Sequence, residues 1–472
     1  MTRRILTLLL AASLVGCTSL EPKYVQPEPP VPPSWPIGDA YLRQSEAELP
    51  SVSYRDIFRD PKLRALIGQA LLNNRDLRIA TANIASARAQ YRVQRAQQLP
   101  QVDAGAGANV SGGGGGQGTS TRFNVDVGVS RFELDLFGRL RSLSNSALNQ
   151  YFATEAAARA ARLSLTGEIA TAYFTLAADR TLLAIARATE ANAARSVQLT
   201  GARLQGGIAS RIDLRQAQTI LEQARSDVAG QTSAVAQDRN ALQLLVGAPI
   251  DDADLPPSIE AVDGLVAELP AGLDSRILLR RPDVVEAEFQ LRAANARIGA
   301  ARAAFFPTIS LTGLLGLASG GLISLFSGGA FNFNAGASAS LPIFDAGANK
   351  GNLEYSRAQR ELFLARYEQT IQTAFREVSD ALARRGTIEA EVAAQTRLVA
   401  DAQDNYALTE ARFRAGIDNF LATLIAQRTL YSARQSLART RLERATNLAD
   451  LYRTLGGDAL IGTGSFAKPQ AR

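Results

Sequence analysis

The chain contains one block twice. Each copy reads as a helix, an amphipathic β-hairpin and two very long helices. Pro100 and Pro307, Asp76 and Asp283, and Phe137 and Phe344 are each 207 residues apart. Further on the offset becomes 209, linking Gly207 with Gly416 and Gly247 with Gly456. Identical pairs fill this later stretch, among them Leu199/Leu408, Thr200/Thr409, Arg203/Arg412, Ile208/Ile417, Ala217/Ala426 and Leu221/Leu430. Alanine-rich helices agree by chance at some positions, but not in one register through glycines, prolines and a phenylalanine. So long a period marks a duplicated half-domain, not a solenoid. Two hairpins supply only four strands, too few to close a barrel. The chain therefore needs copies of itself.

The four strand segments alternate with period two. Val102, Ala104, Ala106, Ala108 and Val110 interleave with Gln101, Asp103, Gly105, Gly107 and Asn109. Phe123, Val125, Val127 and Val129 interleave with Asn124, Asp126, Gly128 and Ser130. The third segment, Thr308 to Ser319, is more apolar but keeps Thr308, Ser310 and Thr312 on one face. The fourth sets Phe331, Phe333, Ala335, Ala337 and Ala339 against Asn332, Asn334, Gly336, Ser338 and Ser340. Each is about as long as a tilted strand needs to cross a bilayer. One face is greasy and the other small and polar, as for a lipid-facing outside and a water-filled inside. The tips, Gly112 to Gly118 and Gly320 to Gly329, are glycine runs that read as mobile loops.

The second element type is the long helix, expected over 142–205, 210–246, 348–414 and 419–455. These stretches contain no proline. About sixty residues at 1.5 Å rise span roughly 90 Å, far more than a bilayer. They carry too much charge for lipid and enough alanine for close backbone approach. They read as staves of a water-filled tube.

Composition narrows the chemistry. There is no histidine and only one cysteine, which nearly empties the pool for a metal site or a Cys/His nucleophile and excludes a disulfide within the chain. A net charge of +6 without a dense basic run gives no support for nucleic-acid binding. Residues 1–16 read as an export signal, with Arg3-Arg4 before an apolar run. Leu14-Val15-Gly16-Cys17 resembles a lipobox, which would make Cys17 the N-acyl diacylglyceryl first residue. Acyl chains contribute about 0.8 kcal/mol per buried methylene, so three would hold firmly. Thr18 stands where an aspartate would retain a lipoprotein in the inner membrane, which points to the outer membrane. The proline-rich 21–36 reads as an extended tether without a packed core.

Each helix pair reverses at a matched turn, Arg203-Leu-Gln-Gly-Gly207-Ile208 and Arg412-Phe-Arg-Ala-Gly416-Ile417. Glycine permits the left-handed conformation that ends a helix. With these turns, the motifs Glu133-Leu-Asp-Leu-Phe-Gly-Arg139, Leu279-Arg-Arg-Pro-Asp283, Ala304-Phe-Phe-Pro-Thr308 and Leu341-Pro-Ile-Phe-Asp-Ala-Gly347 carry a resemblance. The chain is similar to the outer-membrane efflux proteins, the TolC-like channels, in their lipoprotein branch of OprM and NodT type. The resemblance covers essentially residues 17–457. It implies a mainly α fold with a transmembrane β-barrel part: a homotrimer with a 12-stranded barrel continuous with a 12-helix periplasmic tunnel. It implies partnership with a periplasmic adaptor and an inner-membrane transporter of the resistance-nodulation-division type. Arg203, Gly207, Arg412 and Gly416 would lie at the periplasmic tip, where an adaptor could dock. Relatives close the tunnel there with an apolar residue and, one turn later, an aspartate. Leu421 matches the first, but Ile425 occupies the acidic position, so the chain departs from the pattern. Asp418 and Asp213 are nearby acids that could substitute, or could cap the following helix.

The domain order expected is a signal at 1–16, a tether and equatorial segment at 17–60, repeats at 61–247 and 276–456, a linker at 248–275 and a tail at 457–472. The function expected is a passive, gated exit duct for small molecules, not an enzyme and with no cofactor. Two rivals stand beside it: a periplasmic adaptor lipoprotein, which should carry one helical hairpin and soluble β domains, and a protein-secretion duct.

Overall fold

The computed structural model describes residues 19–36, 38, 53–112, 119–264 and 275–457. The expected signal at 1–16, Cys17, most of the first glycine tip, part of the expected linker and the tail after residue 457 lie outside the described residues. In chain order the elements are α1 (Tyr54–Ile57), α2 (Pro61–Asn73), α3 (Arg75–Ala96), β1 (Asp103–Ser111), β2 (Ser120–Leu134), α4 (Arg139–Gln205), α5 (Arg211–Val246), α6 (Ile259–Val262), α7 (Pro282–Ala303), β3 (Thr308–Ser319), β4 (Phe331–Ser340), α8 (Ala348–Arg414) and α9 (Phe420–Thr454). The chain groups into two compact units. One comprises Met1–Glu28, Ala82–Ala156 and Val285–Gln369, and the other Pro29–Thr81, Ala157–Val284 and Thr370–Arg472.

The first unit holds one antiparallel sheet in the order β1-β2-β3-β4. The two hairpins therefore pair with each other through β2 and β3. The register joins the apolar residues into one face: Ala106 opposes Val125, Val125 opposes Leu317, and Leu317 opposes Phe331. A bulge between Val129 and Phe132 shifts the phase of β2. Phe132 and Leu134 thereby stay on the apolar face opposite Leu311 and Ile309, and Glu133 stays polar. Simple alternation to Ser130 does not anticipate this shift. At the end of β2, Glu133 takes a bidentate pair from Arg139 at 2.8 and 2.5 Å, Asp135 accepts from the Arg141 amide, and Phe137 stacks on Phe306 at 4.6 Å. The motif residues thus turn a strand into α4.

The proline-rich segment differs from a free tether. It is extended, but its first part, as far as Glu28, is docked in this unit. The Pro22 carbonyl accepts from Asn295 at 2.8 Å, the Leu20 carbonyl from Arg302 at 3.2 Å, and Glu21 from Asn145 at 3.0 Å. The Arg292 guanidinium sits 4.8 Å from the centre of the Tyr24 ring. Gly299 makes room for it, since a Cβ there would lie 2.7 Å from the Glu21 Cα. Composition alone could not show this, because the partners are polar side chains on distant helices.

The second unit is built on a core from α1, α2, α4, α5 and α9, including Phe58, Leu66, Ile169, Tyr173, Leu242 and Tyr452. One 18-residue window of α4 is apolar enough to cross a membrane by composition, but 61% of it is buried inside the chain. The Tyr173 hydroxyl donates to Asp60 at 2.7 Å, and Asp60 also caps α2 through the Lys62 amide. Buried Arg281 joins the opening of α7 to two helices. It pairs with Asp283 and Glu377 and donates to the Thr454 carbonyl at 2.9 Å. Pro282 opens α7 at its first position, where the missing N–H costs nothing.

Candidate functional site

The two helix turns lie in the second unit and share one backbone design. At the first, the Ile208 amide donates to the Arg203 carbonyl at 2.9 Å and the Gly207 amide to Leu204 at 3.0 Å. At the second, Ile417 donates to Arg412 and Gly416 to Phe413, both at 3.0 Å. These are paired Schellman bonds, and both glycines have φ of 76°. The duplication preserved the backbone of the turn.

Side-chain chemistry has diverged between the copies. Arg412 holds Asp418 in a bidentate pair at 2.6 and 3.0 Å, and that pairing holds the Asp418 carboxyl below the usual carboxylate range. Its repeat counterpart, Arg203, instead reaches across to the second turn. It donates to the Phe413 carbonyl at 2.7 Å, and its guanidinium carbon lies 4.6 Å from the centre of the Phe413 ring. Asp213 forms a capping box with Ser210: its carboxylate accepts from the Ser210 amide at 2.9 Å, while the Ser210 hydroxyl accepts from the Asp213 amide at 3.1 Å. Asn419, the counterpart of Ser210, caps α9 through the Ala422 amide. Both acids are therefore engaged within their own turns. Leu421 and Ile425 are different, being 47% and 57% exposed in the single chain. Phe413, Phe420, Leu424 and Ala217 form the small core under the second turn.

Sequence reasoning missed a link further along. Tyr431 of α9 donates to Asp227 of α5 at 2.7 Å, and burial, then the hydrogen bond to Asp227 and its charge, raise the phenol above its ordinary value. The repeat counterparts of this pair are Glu222 and Ser436, so the asymmetry was the available signal. Around it lies a cavity of about 890 Å³, lined among others by Ile220, Gln231, Ile425 and Gln427. Of the two apolar candidates, Ile425 lines this space.

The model of the outer membrane efflux protein family matches residues 66–248 and 273–457. It therefore falls once on each copy of the repeat. The probable efflux pump outer membrane protein TtgC of Pseudomonas putida is 45% identical over 472 residues, covering 98% of this chain and 97% of its own length. Outer membrane protein OprJ of Pseudomonas aeruginosa is 39% identical over 455 residues, covering 95% of each. Among solved structures, the open state of the Neisseria gonorrhoeae MtrE outer membrane channel superposes with a TM-score of 0.84 at 36% identity, covering 94% of this chain and 99% of that one.

Proposed function

This chain belongs to the outer membrane efflux protein family and is an outer-membrane channel of an efflux pump, and from that premise we propose how its parts divide the work. It forms a passive duct that performs no chemistry of its own. The observation that carries this reading is the four-stranded sheet with one apolar and one polar face and with both edge strands, β1 and β4, unpaired among the described residues of the single chain. A lipid-exposed edge would leave backbone groups without partners, so the edges must close on other copies. Family resemblance sets the number at three, giving twelve strands and twelve long helices. The apolar face then meets lipid and the polar face lines water.

The helix turns form the periplasmic end, where Arg203, Gly207, Arg412 and Gly416 shape the surface met by a periplasmic adaptor and, through it, an inner-membrane transporter. Acylated Cys17 anchors the chain to the outer membrane. Leu421 and Ile425 are the gate, resisting ions by dewetting. Asp418 and Asp213 contribute by holding the two turns in shape.

The test is single-channel conductance of the acylated protein in planar bilayers, before and after Leu421→Ser with Ile425→Ser. A small wild-type conductance that rises strongly supports the pore and the apolar gate. A large, unchanged conductance keeps the duct and removes this gate. No conductance from folded oligomers would overturn the barrel and favour an adaptor lipoprotein.

A further inference from the structure

The two hairpins differ in a way that the duct does not require. The first carries Asp103, Arg122, Asp126, Arg131 and Glu133, and its tip is glycine with small polar residues. No charged residue occurs anywhere between Arg302 and Asp345, the stretch that contains the second hairpin. The second tip is organised as well, despite its glycines. A single helical turn, Ile323–Phe326, sits in it with Leu325 turned inward and only 2% exposed. Three large apolar side chains point the other way: Leu322 is 61% exposed, Ile323 95% and Phe326 76%.

The serine hydroxyls of this tip are satisfied from within. Ser324 donates to the Gly321 carbonyl at 2.9 Å, Ser327 to the Ser324 carbonyl at 2.8 Å, and the Gly321 amide to the Ser319 hydroxyl at 3.3 Å. Ser319 and Ser324 share a further hydroxyl–hydroxyl bond. At the base of the tip, the Ala318 amide donates to the Ala330 carbonyl at 2.8 Å. A loop in water has no need to bond each serine hydroxyl internally. A loop in an apolar medium does. The apolar face of the sheet ends next to this tip in the chain, its final rung pairing Leu317 with Phe331.

We propose that the Leu322–Phe326 tip is a lipid anchor, in which Leu322, Ile323 and Phe326 insert among the acyl chains at the headgroup boundary of the outer leaflet. The inference rests on the barrel reading above. It gives the second hairpin a fixed depth in the membrane. Insertion of a short apolar surface at that boundary follows the physics of interfacial helices.

The experiment attaches an environment-sensitive nitrobenzoxadiazole probe to Ile323→Cys in the full acylated chain. The protein is reconstituted in dioleoylphosphatidylcholine vesicles containing phosphatidylcholine with a nitroxide on its acyl chain. Phe333→Cys on the apolar face and Asn334→Cys on the polar face are the references. The expected result is loss of fluorescence at 323 comparable to that at 333, with none at 334. Quenching at 333 with water-like, unquenched emission at 323 overturns the anchor and leaves the barrel intact. Blue-shifted but unquenched emission at 323 also overturns it, because the tips then pack on one another over the pore. No quenching at 333 removes the barrel and the anchor together. Should Ile323→Cys fail to assemble, Leu322→Cys reads the same surface.

Discussion

Arg203 offers a quantitative test of how the two helix turns are joined. Its guanidinium gives the Phe413 carbonyl a charge-assisted hydrogen bond at 2.7 Å and packs on the Phe413 ring. That carbonyl, in the last turn of α8, also accepts from the Gly416 amide that closes the turn. Replacement by methionine keeps much of the apolar stem but removes both polar contacts. A hydrogen bond to a charged group contributes about 1.5–3 kcal/mol, and a partly exposed cation–π contact about 0.5–1 kcal/mol. A net loss of about 2–3 kcal/mol corresponds to roughly 30- to 150-fold more opening of the second turn. Hydrogen exchange of peptides spanning 411–420 reads this directly, since the Gly416 and Ile417 amides close the turn. Arg203→Lys keeps the charge without the planar stack and should fall between. Arg412→Met removes a solvent-exposed pair within the turn and should increase exchange much less. Unchanged exchange in Arg203→Met, or an equal increase in Arg412→Met, would refute the cross-turn clamp.

Other outcomes follow from the same geometry. Gly207→Ala meets open space, and at Gly416 a new Cβ would make only an ordinary 3.7 Å contact with Arg203, so each substitution isolates the left-handed backbone cost, about 1–2 kcal/mol, readable as lower denaturation midpoints. Gly299→Val should force residues 20–22 off α7 and speed tryptic cleavage after exposed Lys23; an unchanged cleavage rate would mean the segment is held elsewhere. Burial, and then the charge of Asp179, push the Asp238 carboxyl up to about 6. The folded chain therefore binds that proton more tightly than the unfolded one, so its contribution to stability falls as pH rises from about 4 to about 6 and is level above. Asp238→Asn should remove this slope and raise the thermal midpoint at about pH 7.5, with the gain shrinking towards about pH 4; a gain independent of pH would exclude the carboxyl as its source.

The sheet was legible in outline because period-two alternation is a local property, and register then places apolar residues beside one another across strands. Where it failed, the cause was also identifiable. The bulge after Val129 depends on the pairing between β2 and β3, which come from different repeats. Similarly, the turn glycines could be read from the chain, since positive φ is a property of one residue and its neighbours. The partners of Asp213 and Asp418, Ser210 and Arg412, could not be read from the chain, because they depend on where each carboxylate lies in the folded turn.

Taken alone, the sequence determined the duplication, the two-faced strands, the great length of α4 and α8 and the reversal of each helix pair. These follow from periodicity, propensity and backbone sterics, all encoded within a few residues. Tertiary structure decided the rest. It docked the proline-rich segment against Asn295, Arg302 and Asn145, sent Arg203 to Phe413 while Arg412 kept to its own turn, and joined Tyr431 to Asp227. Those choices belong to side chains more than a hundred positions apart, or to near-identical turns whose neighbours differ. A hydrogen bond that needs approach within about 3 Å is set by which helices pack together, and no local pattern specifies that.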